Sequence, residues 1–137
     1  MSLKDVACGF LEAQTAGDRE ALLDEALSWT VVGNGPLTGT YHGKSGFLDE
    51  LMGQVAPRFV PGTNQVKVHA IYQDPAAGVV IAEITETGTL VDGGIYHNDV
   101  AIFFRIVDGK IREVREYMDL RPVGRLVGVV SDVALAS

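Results

Sequence analysis

The sequence predicts an α+β fold, with helices first and a meander of antiparallel strands after them. Two observations carry this. Apolar residues recur at helical spacing up to Pro57, and from Gln65 onward they alternate in long β-rich stretches separated by turn residues. A third is size: 137 residues form one domain (1–137) that can bury a core without metal or disulfide, with an apolar C-terminal extension at about 121–137.

The first helix begins at Ser2, with Asp5 three residues on as a capping-box partner. Leu3, Val6, Phe10, Leu11 and Ala13 follow at helical spacing. Gly17 is expected to end it, and Asp18 to cap a shorter helix carrying Ala21, Leu22 and Ala26. Ser28 to Val32 reads as a strand, broken by Gly33-Asn34-Gly35-Pro36. After Thr40-Tyr41-His42, Gly43 precedes a third helix with Phe47, Leu48, Leu51, Met52 and Val55, stopped by Pro57. Four strands are then predicted: Val66 to Tyr72, Val79 to Thr89, Tyr96 to Val107 and Lys110 to Leu120. Asp108-Gly109 is the turn between the last two.

Three helices cannot cover both faces of such a sheet. They are expected to pack in the concave face of a strongly curved, mainly antiparallel sheet, a cone or half-barrel around one apolar pocket. The uncovered face is expected to meet solvent or a second copy, giving a homodimer through the sheet. The apolar tail, with Leu126, Val127, Val129, Val130, Val133 and Leu135, is expected to pack over the pocket mouth or onto the partner.

Composition narrows the function. Eleven basic against eighteen acidic residues give a charge of −7, which repels phosphate backbones, so nucleic acid is not an expected partner. No apolar run is long enough for a membrane span, and the start shows no export signal. The single cysteine, Cys8, cannot form an internal disulfide and reads as a buried residue of a cytoplasmic protein. His42, His69 and His97 are scattered without a partner at ligand spacing, so neither metal nor other cofactor is expected.

Alternation then asks which polar groups point inward. In the last strand Val114, Glu116, Met118 and Leu120 share the apolar face, leaving Glu116 as a carboxylate among hydrophobes. Asn98 shares a face with Val100, Ile102, Phe104 and Ile106, and Glu86 shares one with Val80, Ala82 and Ile84. A bulge would exchange Glu86 for Glu83 or Asn98 for Asp99. Glu116 has a plainer alternative in pairing with Arg105 or Arg112, Glu86 in a solvated edge, Asn98 in a turn and Trp29 in core filling. Two carboxylates in an apolar pocket push each other's titration apart, so that one stays an acid while the other serves as base.

Several stretches carry a resemblance: Trp29 to Gly33, Pro36 to Lys44, Tyr96-His-Asn98, Phe103 to Ile111 and Arg115-Glu-Tyr-Met-Asp119. In order and wording the chain resembles the SnoaL-like branch of the nuclear transport factor 2-like superfamily, up to about Leu120. Its members include ketosteroid isomerases, limonene epoxide hydrolases, polyketide cyclases, dehydratases and modules without known catalysis. The resemblance implies a cystatin-like arrangement. It also places Glu116 and Glu86 where epoxide hydrolases keep an acid and a base, and Asn34 near their water-holding Asn. Ile84 stands where their bridging arginine would be, and Val32 where their tyrosine would be. Gly33 and Asn34 replace the isomerase base, and Asp119, the cyclase Asp, alternates away from Glu116.

The expectation is therefore an enzyme performing acid–base chemistry on a small apolar molecule: isomerisation, hydration or dehydration, cyclisation or epoxide hydrolysis. Glu116 and Glu86 are its catalytic candidates; Trp29, Asn34, Asn98, Tyr41, Met118 and Met52 are its ligand contacts. The alternative is a non-catalytic module that binds a hydrophobic ligand or a protein.

Overall fold

A computed structural model describes residues 1–128. Helix α1 (Leu3–Glu12) opens on the expected capping box: the Ser2 hydroxyl accepts from the Asp5 amide at 3.1 Å, and the Asp5 carboxylate accepts from the Ser2 amide at 3.1 Å. The apolar stripe of α1, Val6, Ala7 and Phe10, is buried against the sheet. Cys8 on the same helix is only half-buried, and that burial pushes its thiol up.

The segment that follows differs from the sequence expectation. Helix α2 (Ala16–Glu20) contains Gly17 and starts from Thr15, whose hydroxyl accepts from the Asp18 amide at 3.0 Å. Strand β1 (Leu23–Val31) takes in Ala26, and Leu22 lies in the turn before it. Leu23, Leu27, Trp29 and Val31 are buried. Their spacing fits either period locally, and the pairing of β1 with a neighbouring strand decides for extended chain.

Strand β2 (Gly39–His42) leads into the third helical run, which is composite. A short α3 (Gly43–Ser45) widens into a π-helical stretch (Gly46–Leu51), continues as α4 (Met52–Val55) and closes in a 3₁₀ turn (Ala56–Arg58) containing Pro57. Four strands complete the sheet: β3 (Gln65–Asp74), β4 (Val79–Thr89), β5 (Ile95–Val107) and β6 (Lys110–Met118). At the β5–β6 turn Asp108 and Gly109 take φ of 51° and 75°, the doubly left-handed geometry a two-residue hairpin requires.

The six strands run in the order β2-β1-β6-β5-β4-β3, antiparallel except for the parallel pair β1–β6. Helices occupy one face, and Phe10, Trp29, Phe47 and Phe104 meet at the centre of the core between them and the sheet. Leu120 is not the last inward residue of β6. It begins helix α5 (Leu120–Leu126), capped by the Asp119 carboxylate on the Arg121 amide at 3.0 Å. Val123, Gly124 and Leu126 of α5 are buried, and Leu126 joins Phe59, Leu90 and Tyr96 in a second apolar cluster. The tail residues Val129, Val130, Val133 and Leu135 lie outside the described residues. Among the described residues no helix is long and apolar enough to cross a membrane.

Candidate functional site

Register sorts the polar side chains of the inner face into rows. Glu86 of β4 stands opposite Asn98 of β5. In the next inward row Ile84, Val100 and Met118 are aligned across β4, β5 and β6. The row beyond aligns Ala82, Ile102, Glu116 and, on the parallel neighbour, Val31. An apolar row of three side chains thus separates the Glu86–Asn98 row from the Glu116 row. Glu83 and Asp99, the residues a slip would have brought inward, are exposed on the outer face.

Glu116 is 7% exposed, and its Oε1 accepts the indole N–H of Trp29 at 2.5 Å. No cation balances it. Arg105 pairs with Glu113 at 2.8 Å and Arg112 with Asp24 at 3.1 Å. Burial pushes the Glu116 carboxyl up to about 8, and the nearby Glu86 charge adds to the rise, while the Trp29 bond opposes it. Glu86 is half-buried and is the outer member of the pair, and burial pushes it up to about 7. The two carboxyls feel one another, so their protons leave as a coupled pair. Near neutrality such a pair holds a proton-donating and a proton-accepting carboxyl side by side.

The other predicted contacts divide. Trp29 is 3% exposed, stacked on Phe47 with centroids 4.1 Å apart, and its one donor is committed to Glu116. It is a positioning residue rather than a ligand contact. The π-helical widening carries Phe47 onto Trp29. Asn98 is buried, and its amide is occupied: Nδ2 donates to the Tyr96 hydroxyl at 2.9 Å and to the Asp119 carbonyl at 2.9 Å, while Oδ1 accepts from the Asp119 amide at 3.2 Å. It pins the corner between β6 and α5. Asn34 is exposed on its turn, outside the buried cluster, because Gly33-Asn34-Gly35 bends away from the sheet after β1. The Tyr41 hydroxyl donates to the Leu37 carbonyl at 2.7 Å. Met52 and Met118 are half-buried against the core.

Tyr96 is the residue the sequence reading did not single out. It faces inward with Asn98, is 6% exposed, and lies close enough to Glu86 and Glu116 for their charges to act on its phenol. Its inward parity with Asn98 was the available signal. Among the described residues, no group of three or more His, Cys, Asp or Glu side chains could hold a metal ion. Two concavities open on the surface. One of about 590 Å³ lies on the outer sheet face beside His69, Glu83, Asp99 and Tyr117. One of about 790 Å³ is lined by Pro36, Leu37, Gln54, Arg58, Val91 and Val127. Neither contains the carboxyl pair, which sits in an interior filled by Trp29 and Phe47.

Helices cradled in a curved six-stranded sheet, with a polar cluster on the inner face, define a cone of the nuclear transport factor 2-like class. The SnoaL-like domain family matches residues 8–114, and the chain belongs to that family. It is similar to a cystatin-like-fold protein from Xanthomonas campestris, at 21% identity and a TM-score of 0.77 over 93% of this chain and 99% of that one. It is also similar to TerC, crystallised with polyporic acid, at 15% identity and a TM-score of 0.76 over 91% and 97% of the two chains. AclR from Streptomyces galilaeus follows at 17% identity and a TM-score of 0.71, over 98% and 93%. At these identities the likeness shows the fold. A search of curated proteins returns no match.

Proposed function

We propose that this protein is a cofactor-independent acid–base enzyme acting on a small, largely apolar molecule bound on the inner face of the sheet. Glu116 is the general acid and Glu86 the general base of that reading. The observation that carries it is the pair itself: two inward carboxyls without a cation, both raised toward neutrality by burial. Glu116, the deeper and higher of the two, keeps its proton, and Glu86, the more exposed, gives it up first. Ligand access is from the Glu86 side, where half-buried Met118 and Met52 are flexible enough to repack around a guest. The likeness to TerC, which was crystallised with an organic acid, supports a small-molecule ligand.

The reaction class is a proton shuttle: isomerisation, hydration or dehydration, cyclisation or epoxide opening. Carbon-13 NMR of the glutamate side-chain carboxyls tests the reading directly. Two carboxyls titrating well above the ordinary range, with one signal lost in Glu116→Gln and the other in Glu86→Gln, support it. Ordinary titration of both overturns it.

A binding module without catalysis is the second reading, favoured by the stacked Trp29–Phe47 pair that fills the interior and by the absence of a cation at Glu116. In both readings a second copy packs on the outer sheet face, where Tyr72 and Tyr117 are 54% and 40% exposed. A clean monomer in light scattering at micromolar concentration counts against that dimer.

A further inference from the structure

The hydrogen bonds around Asn98 fix the direction of a proton that no described residue accepts. The Asp119 backbone decides the orientation of the Asn98 amide. Its N–H donates to Oδ1 at 3.2 Å, and its carbonyl accepts from Nδ2 at 2.9 Å. A flipped amide would set donor against donor and acceptor against acceptor at both contacts. Nδ2 therefore faces the Tyr96 oxygen, 2.9 Å away. An amide nitrogen has only hydrogens to offer, so the Tyr96 oxygen is the acceptor there.

A phenolic O–H lies close to its ring plane, and Asn98 occupies one in-plane direction. The Tyr96 proton is left with the other. The ring cannot easily turn to change this. Phe59 meets it edge-on at 5.4 Å and 86°, within the cluster that also holds Leu90 and Leu126. Phe59 in turn is seated over Gly88, the residue directly opposite Tyr96 on β4. Among the described residues nothing accepts that proton, although the side chain is 94% buried by its 6% exposure. Burial, with the charges of Glu86 and Glu116 adding to it and the Asn98 bond opposing, holds the phenol well above its ordinary range. The proton stays on oxygen at any physiological pH.

We propose that Tyr96 is a specificity-determining hydrogen-bond donor that selects substrates carrying a neutral oxygen acceptor, such as a carbonyl, epoxide or ether oxygen, on an otherwise apolar frame. The proposal rests on the acid–base reading of the same site and names its substrate class. A neutral acceptor fits because the donor stands beside two carboxyls, which would repel an anion. The apolar row of Ile84, Val100 and Met118 next to the Glu86–Asn98 row is the surface on which the hydrocarbon part lies. A buried donor awaiting an acceptor discriminates strongly, because a ligand without the oxygen leaves it unpaired.

The test compares 1-indanone with indane, two frames of similar size that differ by the carbonyl, on the intact protein and on Tyr96→Phe. The expected result is that Tyr96→Phe binds indane as the parent does, while its indanone-to-indane affinity ratio falls about tenfold. The infrared carbonyl stretch of bound indanone should lie lower in the parent protein than in the variant. Equal indane binding shows that the variant is folded with its site intact. An unchanged ratio, or a carbonyl stretch in the parent no lower than in the variant, overturns the role of Tyr96 and leaves the apolar site standing. Failure of the parent to bind either probe overturns both the apolar site and this proposal.

Discussion

Trp29 and Glu116, 87 positions apart in the chain, are joined by a hydrogen bond of 2.5 Å from the indole N–H to the buried carboxyl. Strand β1 places the donor and its parallel neighbour β6 the acceptor, with Trp29 aligned on Val114 and Val31 on Glu116. The bond favours the ionised carboxyl, against the pull of burial.

Trp29→Phe keeps an aromatic ring against Phe47 and removes only the donor. The variant should lose about 1–3 kcal/mol of stability where Glu116 is ionised, and less where it is protonated. Urea melts on either side of about pH 8 measure this, and an equal loss at both would show that the bond is insensitive to the charge.

The pH dependence of stability follows from the sign of the Glu116 shift. Its folded value of about 8 lies above the ordinary 4.5, so between the two the native state binds more protons than the unfolded chain. The stabilising contribution is complete below the ordinary value and is lost as pH rises through the folded one. The melting temperature should therefore fall from weakly acidic to weakly alkaline solution. Glu116→Gln should flatten that fall, leaving a smaller slope from Glu86, as differential scanning calorimetry would show.

Asn98→Ala removes all three bonds that the amide makes to Tyr96 and Asp119. The cost should be on the order of 2–4 kcal/mol, because both backbone groups of Asp119 lose a partner at once. Amide exchange at Asp119 should accelerate more than exchange in the centre of β5. Uniform acceleration would mean that the amide does not act locally on the corner.

Gly88→Ala would set a methyl 2.6 Å from the Phe59 ring carbons, which real contacts do not allow. Phe59 must move, and with it the edge that fixes the Tyr96 ring. A stability loss of about 1–3 kcal/mol is expected, with shifted Tyr96 ring resonances in NMR. Unmoved Tyr96 resonances would separate the two rings.

The long strands were legible because alternation over β4 and β5 is sustained, and the bounds of β4 follow directly from it. Glu116 was legible for the same reason: one carboxylate on an otherwise apolar face is conspicuous. Helix α2 and the start of β1 were not, since Leu22 and Ala26 satisfy the helical period while Leu23 and Leu27 belong to a strand held by β6. Asn34 was placed by resemblance, but a loop's direction is set by its backbone, and that turn leads to solvent. Asn98 and Trp29 were found as residues, yet their roles depend on partners 21 and 87 positions away, which no local pattern encodes. Tyr96 was passed over because a tyrosine on an apolar face looks like core until its oxygen's neighbours are known.

The parallel pairing of the first strand with the last also sets the order of events in folding. During synthesis β1 leaves the ribosome long before β6, so Trp29 spends that interval without its carboxylate. Contacts of such sequence separation form slowly and late. Trp29 is the sole tryptophan, so its fluorescence is a built-in clock for this step. The final rise or quench of that signal in a refolding trace marks the moment when the acid is seated.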